Sequence, residues 1–437
     1  MNSARATEPF SLLTAILVAG SAIIALVPTS FSSRSQDVLQ NLAEGSMLRQ
    51  AQLALLFMLA GILLYRHWSA TVERLRHLNP FLVLLVAYCG LSMLWSPFPI
   101  VTLKRAITFA GLIIIGLALS PPSSTFRHVM SSLRWSLTLI CLISALTALA
   151  APAIGTDPLH NGAWRGITWH KNMLGATAAY AAILWHREAL QGPGRRLTSL
   201  AALLFCLVTL LMAKSSTAML LGALGLAWYT FFHRPWLRGR HLGLGALLAL
   251  AVASLLALHF FYVNTGRFLG WNDISAPIAA LFGKSSDLTG RTDIWRLVML
   301  AVQQHPILGI GYGAFWLGLG GPSQYVADFL GWAPTQAHNG YLDVLNELGV
   351  VGSCLMLCTL LWYIMTLVRL ALYQRDAAAC YTTFLLILLV SNLSETSLLF
   401  STSFQNILFV YMCTMASSQL WAVRQQAFDA PPHAVSR

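Results

Sequence analysis

Residues Gln336, Ala337, His338, Asn339 and Gly340 form the segment of this chain best equipped for chemistry. A histidine changes charge near neutral pH and is the common choice for taking a proton from a hydroxyl. Asn339 suits the N-cap of a helix expected over 340–348, which puts His338 just outside a helix N-terminus. The aligned N–H groups there disfavour an imidazolium and keep the ring available as a base. No acid stands at a sequence spacing that would orient the ring, because Asp343 and Glu347 project elsewhere on the same helix.

Cations are the second signal. Lys104, Arg105, Arg165, Lys171, Lys214, Arg267, Lys284, Arg291 and Arg296 all fall in, or at the edges of, loops expected on the outer side of a membrane. Basic side chains on the face that ordinarily avoids them point to an anionic ligand, and a diphosphate at the lipid headgroup is the natural candidate. Snorkelling to headgroups accounts equally well for Lys104 and Lys284. The densest group runs from Trp164 to Asn172 and holds Arg165, His170 and Lys171. An interfacial aromatic belt would explain Trp164 and Trp169 but not the cations between them. The chain contains no Asp-x-Asp pair, and His160, His170, His305 and His338 match no ligand spacing, so neither a metal nor a cofactor is expected. Glu395, expected near the outer end of an apolar span, is positioned to orient a catalytic cation or an acceptor hydroxyl, or to pair structurally with an arginine.

The elements that must carry these groups are membrane helices. With 57% hydrophobic and 10% charged residues and a mean hydropathy of +0.67, the chain is far more apolar than a soluble core requires. Windows of about 20 residues give twelve spans, near 10–28, 50–65, 80–95, 102–120, 135–153, 172–187, 198–213, 216–232, 242–261, 348–368, 379–397 and 404–422. The first apolar run is expected to be a retained span rather than a cleaved leader. Placing both termini inside assigns nearly all of the net charge of +12 to inner segments, as the positive-inside rule requires. That excess therefore reflects topology and anionic lipid rather than nucleic acid. The seven cysteines lie in or beside spans, away from loops where a disulfide would form. Cys354 and Cys358 share a helix face, an arrangement that serves packing.

Three regions follow: transmembrane helices one to nine over 1–261, a large outer loop over 262–347, and transmembrane helices ten to twelve with a cytoplasmic tail over 348–437. The loop is long enough for a small cap of two or three helices. One is expected from Thr292 and stopped at His305-Pro306, and the glycines from Gly309 to Gly321 make turns and close backbone contacts. Gly309-Ile310-Gly311-Tyr312-Gly313 is no nucleotide loop, since neither a preceding strand nor a Gly-Lys-Ser/Thr accompanies it.

These motifs together resemble the bacterial O-antigen ligase and polysaccharide polymerase superfamily. The marks are Leu94-Trp95-Ser96-Pro97, His170-Lys171-Asn172-Met173-Leu174-Gly175, Gly290-Arg291-Thr292-Asp293-Ile294-Trp295, His305-Pro306-Ile307-Leu308-Gly309-Ile310-Gly311 and Ala337-His338-Asn339-Gly340-Tyr341-Leu342, in that order. The resemblance implies an all-α, GT-C-like enzyme of about twelve transmembrane helices with one large periplasmic helical loop, in the bacterial inner membrane. It implies transfer of undecaprenyl-diphosphate-linked glycans with inversion, without metal or nucleotide. His338 matches the proposed base and Arg291 an essential loop arginine. Arg165, Lys171, Lys104, Arg105 and Lys214 are the expected diphosphate ligands, with Asn339, Glu395 and His170 in support. Where relatives often carry a Ser-Arg pair after span seven, Ser216 is followed here by Thr217, and Lys214 is the available charge. The acceptor expected is lipid A-core, as in a ligase. A lipid-linked glycan, as in a polymerase, is the alternative, since the Trp-Arg-Gly element at 164–166 resembles exopolysaccharide polymerases; transfer to a protein hydroxyl stays open. A transporter or flippase is the remaining alternative, disfavoured because the halves show no repeat and the polar residues gather at one surface.

Overall fold

The computed structural model describes residues 8–29, 46–120, 125–191, 196–233, 291–318 and 320–429. The expected ninth span, the loop segment 262–290 with Arg267 and Lys284, and the boundary between 261 and 262 lie outside the described residues.

Within the described residues the chain is almost entirely helical. The helices are α1 (Glu8–Leu26), α2 (Met47–Arg66), α3 (Trp68–Arg76), α4 (Pro80–Leu91), α5 (Pro99–Ala118), α6 (Thr125–Ala150), α7 (Pro152–Gly155), α8 (Lys171–Gln191), α9 (Arg196–Met212) and α10 (Ser216–His233). After the undescribed segment come α11 (Arg291–Gln304), α12 (Gln324–Leu330), α13 (Gly340–Ala371), α14 (Arg375–Ser391) and α15 (Phe404–Asp429). Two-residue strands β1 (Thr156–Asp157) and β2 (Ala163–Trp164) pair antiparallel between α7 and α8.

Local sequence explains the starts. The Asn79 side chain accepts from the N–H groups of Phe81 (3.1 Å) and Leu82 (3.3 Å), and Pro80 occupies the first turn of α4, where a missing N–H costs nothing. Asn339 caps α13 in the same way, from Tyr341 (3.1 Å) and Leu342 (3.2 Å).

Every expected span other than the ninth falls on one of these helices. Five of them (Met47–Arg66, Pro99–Ala118, Phe126–Ala150, Gly340–Ala371 and Phe404–Gln426) are long and apolar enough to cross a membrane, and a sixth arises if Trp68–Arg76 and Pro80–Leu94, bent by 92°, count as one span. Among the described residues, expected spans such as those on α9 and α14 form helices of 17 residues each, shorter than the ~20 residues that a bilayer asks of a span, and the ninth lies outside the described residues. The protein is thus a multi-pass membrane protein. Exposed Leu55, Met58 and Ile62 on α2 and Leu139, Leu142 and Leu146 on α6 give these helices apolar outer faces.

The axis of the bundle is α15, whose apolar window is 89% buried; it packs on α1, α5, α13 and α14. At its start Phe404 meets Tyr180 of α8 edge-on (5.5 Å), and Tyr180 meets Phe384 of α14 (4.9 Å). Near the far end of α8, Arg187 donates to Asp376 (3.0 Å), which also accepts from the Tyr229 hydroxyl (2.7 Å). This pair ties α8, α10 and α14 together about 24 Å along α8 from Lys171, at 1.5 Å per residue.

The cap has its own core, formed by Ile294 and Val298 of α11, Val326 of α12, and Phe315, Trp316 and Ala337. It joins the bundle at a break in α13. Gly349 adopts φ +62° and ψ −165° there, a region essentially reserved for glycine. The Ile310 and Gly311 N–H groups donate to the Asn346 (3.1 Å) and Glu347 (2.9 Å) carbonyls, while Val350 and Val351 donate back to Pro306 (2.9 Å) and Ile307 (3.2 Å). A Cβ on Gly349 would lie 2.3 Å from the Ile307 oxygen. The glycine-rich run therefore serves close backbone packing, as expected.

Candidate functional site

The site forms where the loop before α13 meets the non-helical turn between α14 and α15. α14 ends at Ser391, so Glu395 stands in that turn and not within a helical span as expected. The turn is shaped by Asn392, whose side-chain oxygen accepts from the N–H groups of Ser397 and Leu398, each at 2.9 Å. The Gly340 N–H donates to the Asn392 carbonyl (2.9 Å), drawing the start of α13 against it.

His338 and Glu395 meet at this junction. Nδ1 of His338 lies 3.1 Å from Oε2 of Glu395, and Nη2 of Arg291, at the first position of α11, lies 3.4 Å from Oε1. Gln336 Nε2 donates to Glu395 Oε2 (3.1 Å) and Asn172 Nδ2 to Oε1 (3.5 Å). The acid that orients His338, undetectable from local spacing, is thus Glu395, 57 residues further along. Burial alone would raise the Glu395 carboxyl. The hydrogen bond and charge of His338 outweigh it, with the charges of Arg291 and His170 adding to the effect, and hold the group below the ordinary carboxylate range. A carboxylate can only accept, so the proton of the neutral imidazole sits on Nδ1 and the lone pair on Nε2. His338 itself has φ +53°, a left-handed conformation costing a non-glycine residue roughly 1–2 kcal/mol.

Glu395 and Gln336 border a cavity of about 740 Å³. Its lining also includes the polar side chains of Arg49, Lys104, Trp169, His170 and Asn172, the acids Asp343 and Glu347, and the apolar Leu26, Leu53, Phe57 and Leu221. Such a space suits a ligand with a charged head and a hydrocarbon tail.

The other expected cations are placed differently. Arg105 lines the cavity, but its guanidinium donates to the Gly313 carbonyl. Arg165 donates through Nε to the Ile154 carbonyl (3.0 Å), and the Lys214 ammonium to that of Asn161 (2.8 Å); Lys171 opens α8. None of these three is among the residues lining the cavity, and His338 and Arg291 are not either; those two adjoin it through Glu395. Asn339 acts as the N-cap of α13. Arg49 was not singled out by sequence. It sits in the first turn of α2, where its guanidinium donates to the Val27 carbonyl and lies 5.7 Å from the centre of the Trp169 ring, and only the fold brings these groups together.

A family model described as O-antigen ligase matches residues 201–357. The chain is also 27% identical over 288 residues to the exopolysaccharide production protein ExoQ of Rhizobium meliloti (strain 1021), covering 62% of this chain and 60% of that protein. The match therefore spans less than two thirds of that relative's length. Both similarities agree with the resemblance of the sequence motifs to the O-antigen ligase and polysaccharide polymerase superfamily.

Proposed function

We propose that the protein is an inverting glycosyltransferase that moves a glycan from a lipid diphosphate, undecaprenyl diphosphate, to a sugar hydroxyl. The observation that carries this is the His338–Glu395–Arg291 contact set, whose Glu395 borders a large cavity lined by both cationic and apolar side chains. Nε2 of His338 takes the proton of the acceptor hydroxyl as its oxygen bonds to the anomeric carbon. The bond from that carbon to the diphosphate breaks, and the electron pair leaves with undecaprenyl diphosphate. Glu395 balances the imidazolium that forms, while Arg291, Lys104 and Arg49 receive the charge gathering on the leaving diphosphate. Arg105, Arg165, Lys171 and Lys214 are secondary in this reading. Leu53, Phe57 and Leu221 contact the isoprenoid. These cations take the role that a divalent ion would play, so the reaction needs no metal. The active site faces the periplasm from the bacterial inner membrane.

Two acceptors fit this chemistry. The similarity to an exopolysaccharide production protein, with the Trp-Arg-Gly element, favours chain extension onto a lipid-linked glycan. The description of the matching family model favours ligation to lipid A-core. Purified protein and its His338→Ala variant, given undecaprenyl-diphosphate-linked glycan in EDTA with or without lipid A-core, separate the two. Longer lipid-linked chains without core indicate polymerisation, and product only on core indicates ligation. Transfer undiminished in the variant would remove His338 as the base.

A further inference from the structure

His338 and Glu395 belong to separate loops, and their 3.1 Å contact survives only if those loops are held in register. We propose that Asp343 is the positioning residue that does this for the transfer reaction proposed above. Its Oδ2 accepts from the Ala337 N–H (3.0 Å) and from the Thr396 hydroxyl. Ala337 immediately precedes the base, and Thr396 immediately follows the acid that orients it. One oxygen atom thus joins the neighbours of both members of the pair. The other oxygen, Oδ1, accepts from Nε1 of Trp316 in the cap (2.7 Å), so the junction is tied to the cap as well. Gln336 adds a parallel link, accepting from the Thr396 N–H at 2.9 Å.

Asp343 is 5% exposed, and the described partners of its carboxylate are all donors. Two of them, the Ala337 amide and the Trp316 indole, can only donate. Asparagine has the same shape but cannot serve both. Turned either way, its NH2 meets a donor, at Ala337 or at Trp316, and a buried mismatch of this kind is costly. Removing the indole N–H with Trp316→Phe resolves the conflict. In the double variant the asparagine side chain can aim its NH2 at the phenyl ring and return its oxygen to Ala337 and Thr396.

The test compares wild type, Asp343→Asn, Trp316→Phe, the double variant and Thr396→Val, each purified as the full chain and checked by thermal unfolding. D343N is expected to lose tenfold or more in kcat with donor KM within about twofold, T396V to lose less, and D343N/W316F to recover most of the loss relative to W316F. Wild-type kcat in D343N, or a double variant no better than D343N, would overturn the proposal; a carboxylate needed only for its charge would not be rescued this way. A second readout stands apart from turnover, the imidazole 15N resonances of His338, identified by their loss in His338→Ala. They should report an Nδ1–H tautomer in wild type and in D343N/W316F, and a mixture in D343N. An unchanged tautomer in D343N would sink the positioning role even if no glycan were transferred, whereas loss of the tautomer without any wild-type transfer would overturn only the functional reading.

Discussion

Replacing Glu395 with glutamine keeps the shape of the side chain and removes its charge, which isolates what the carboxylate does for His338. The contact is 3.1 Å between Nδ1 and Oε2, placing the charge centres about 4 Å apart once the imidazole is protonated. At an effective dielectric of about 20, that attraction is worth about 4 kcal/mol. The side chains are partly exposed, at 25% for His338 and 23% for Glu395, and solvent screening cuts the figure to roughly half. About 2 kcal/mol of stabilisation present only after proton transfer corresponds to a loss of about 30-fold in kcat. KM for the donor should change little, because the neutral imidazole of the ground state gains much less from the charge. The assay is turnover of lipid-linked glycan by purified protein over a range of donor concentrations. Glu395→Gln with kcat within about threefold of wild type would refute the assignment of Glu395 as the partner of the base. A loss confined to KM would reassign it to substrate binding through Arg291.

Arg49→Gln should raise donor KM by about tenfold or more, in line with the ~1.5–3 kcal/mol typical of hydrogen bonds to charged groups, while Arg165→Gln changes KM little; measured donor saturation curves compare them directly. Gly349→Ala should lower the thermal unfolding midpoint, since a strained backbone of this class costs about 1–3 kcal/mol and the new Cβ would sit 2.3 Å from the Ile307 oxygen. The Glu395 carboxyl is depressed in the folded protein, so its contribution to stability is complete above the ordinary glutamate range and is lost as pH falls through the depressed value. The stability gap between wild type and Glu395→Gln should accordingly be widest near neutrality and shrink on acidification, as read by unfolding in detergent at several pH values. Arg291→Gln removes a cation from the contact set around Glu395 and should raise donor KM and lower kcat in the same turnover assay; wild-type values of both would contradict its role.

Much of the architecture was legible because it depends on local signals. Asn339 before Gly340, Asn79 before Pro80, and the uninterrupted apolar runs each determine a helix within a few residues, whatever the rest of the chain does. The cap was legible for the same reason, through the pattern of α11 and the stop at His305-Pro306. What did not show was how many helices have the length and apolarity to span, because α9 and α14 carry the right residue types but end after 17 residues. Glu395 was visible as an unusual acid, but its partners were not. The contacts to His338 and Arg291 close over 57 and 104 residues, distances at which no periodicity survives. Arg49 escaped for a related reason: in sequence it is an ordinary polar residue in the first turn of α2, and only the fold carries it over Trp169.

The arrangement of charges also explains why one glutamate serves two cationic groups. Arg291 and a protonated His338 would repel each other if they converged without it, and the strained backbone of His338 would have less to hold it in place. Arg291 spends only a 3.4 Å contact on Glu395, longer than a well-formed charge-assisted hydrogen bond, and its guanidinium carries five N–H donors. On the functional reading above, a donor diphosphate bound beside Glu395 competes for those donors and draws Arg291 toward itself. Glu395 then keeps His338 as its one cationic partner of the pair, with Gln336 and Asn172 still donating to it. On the functional reading above, the donor site and the base are therefore joined through a single carboxylate, with no need for a large movement of the helices that carry them.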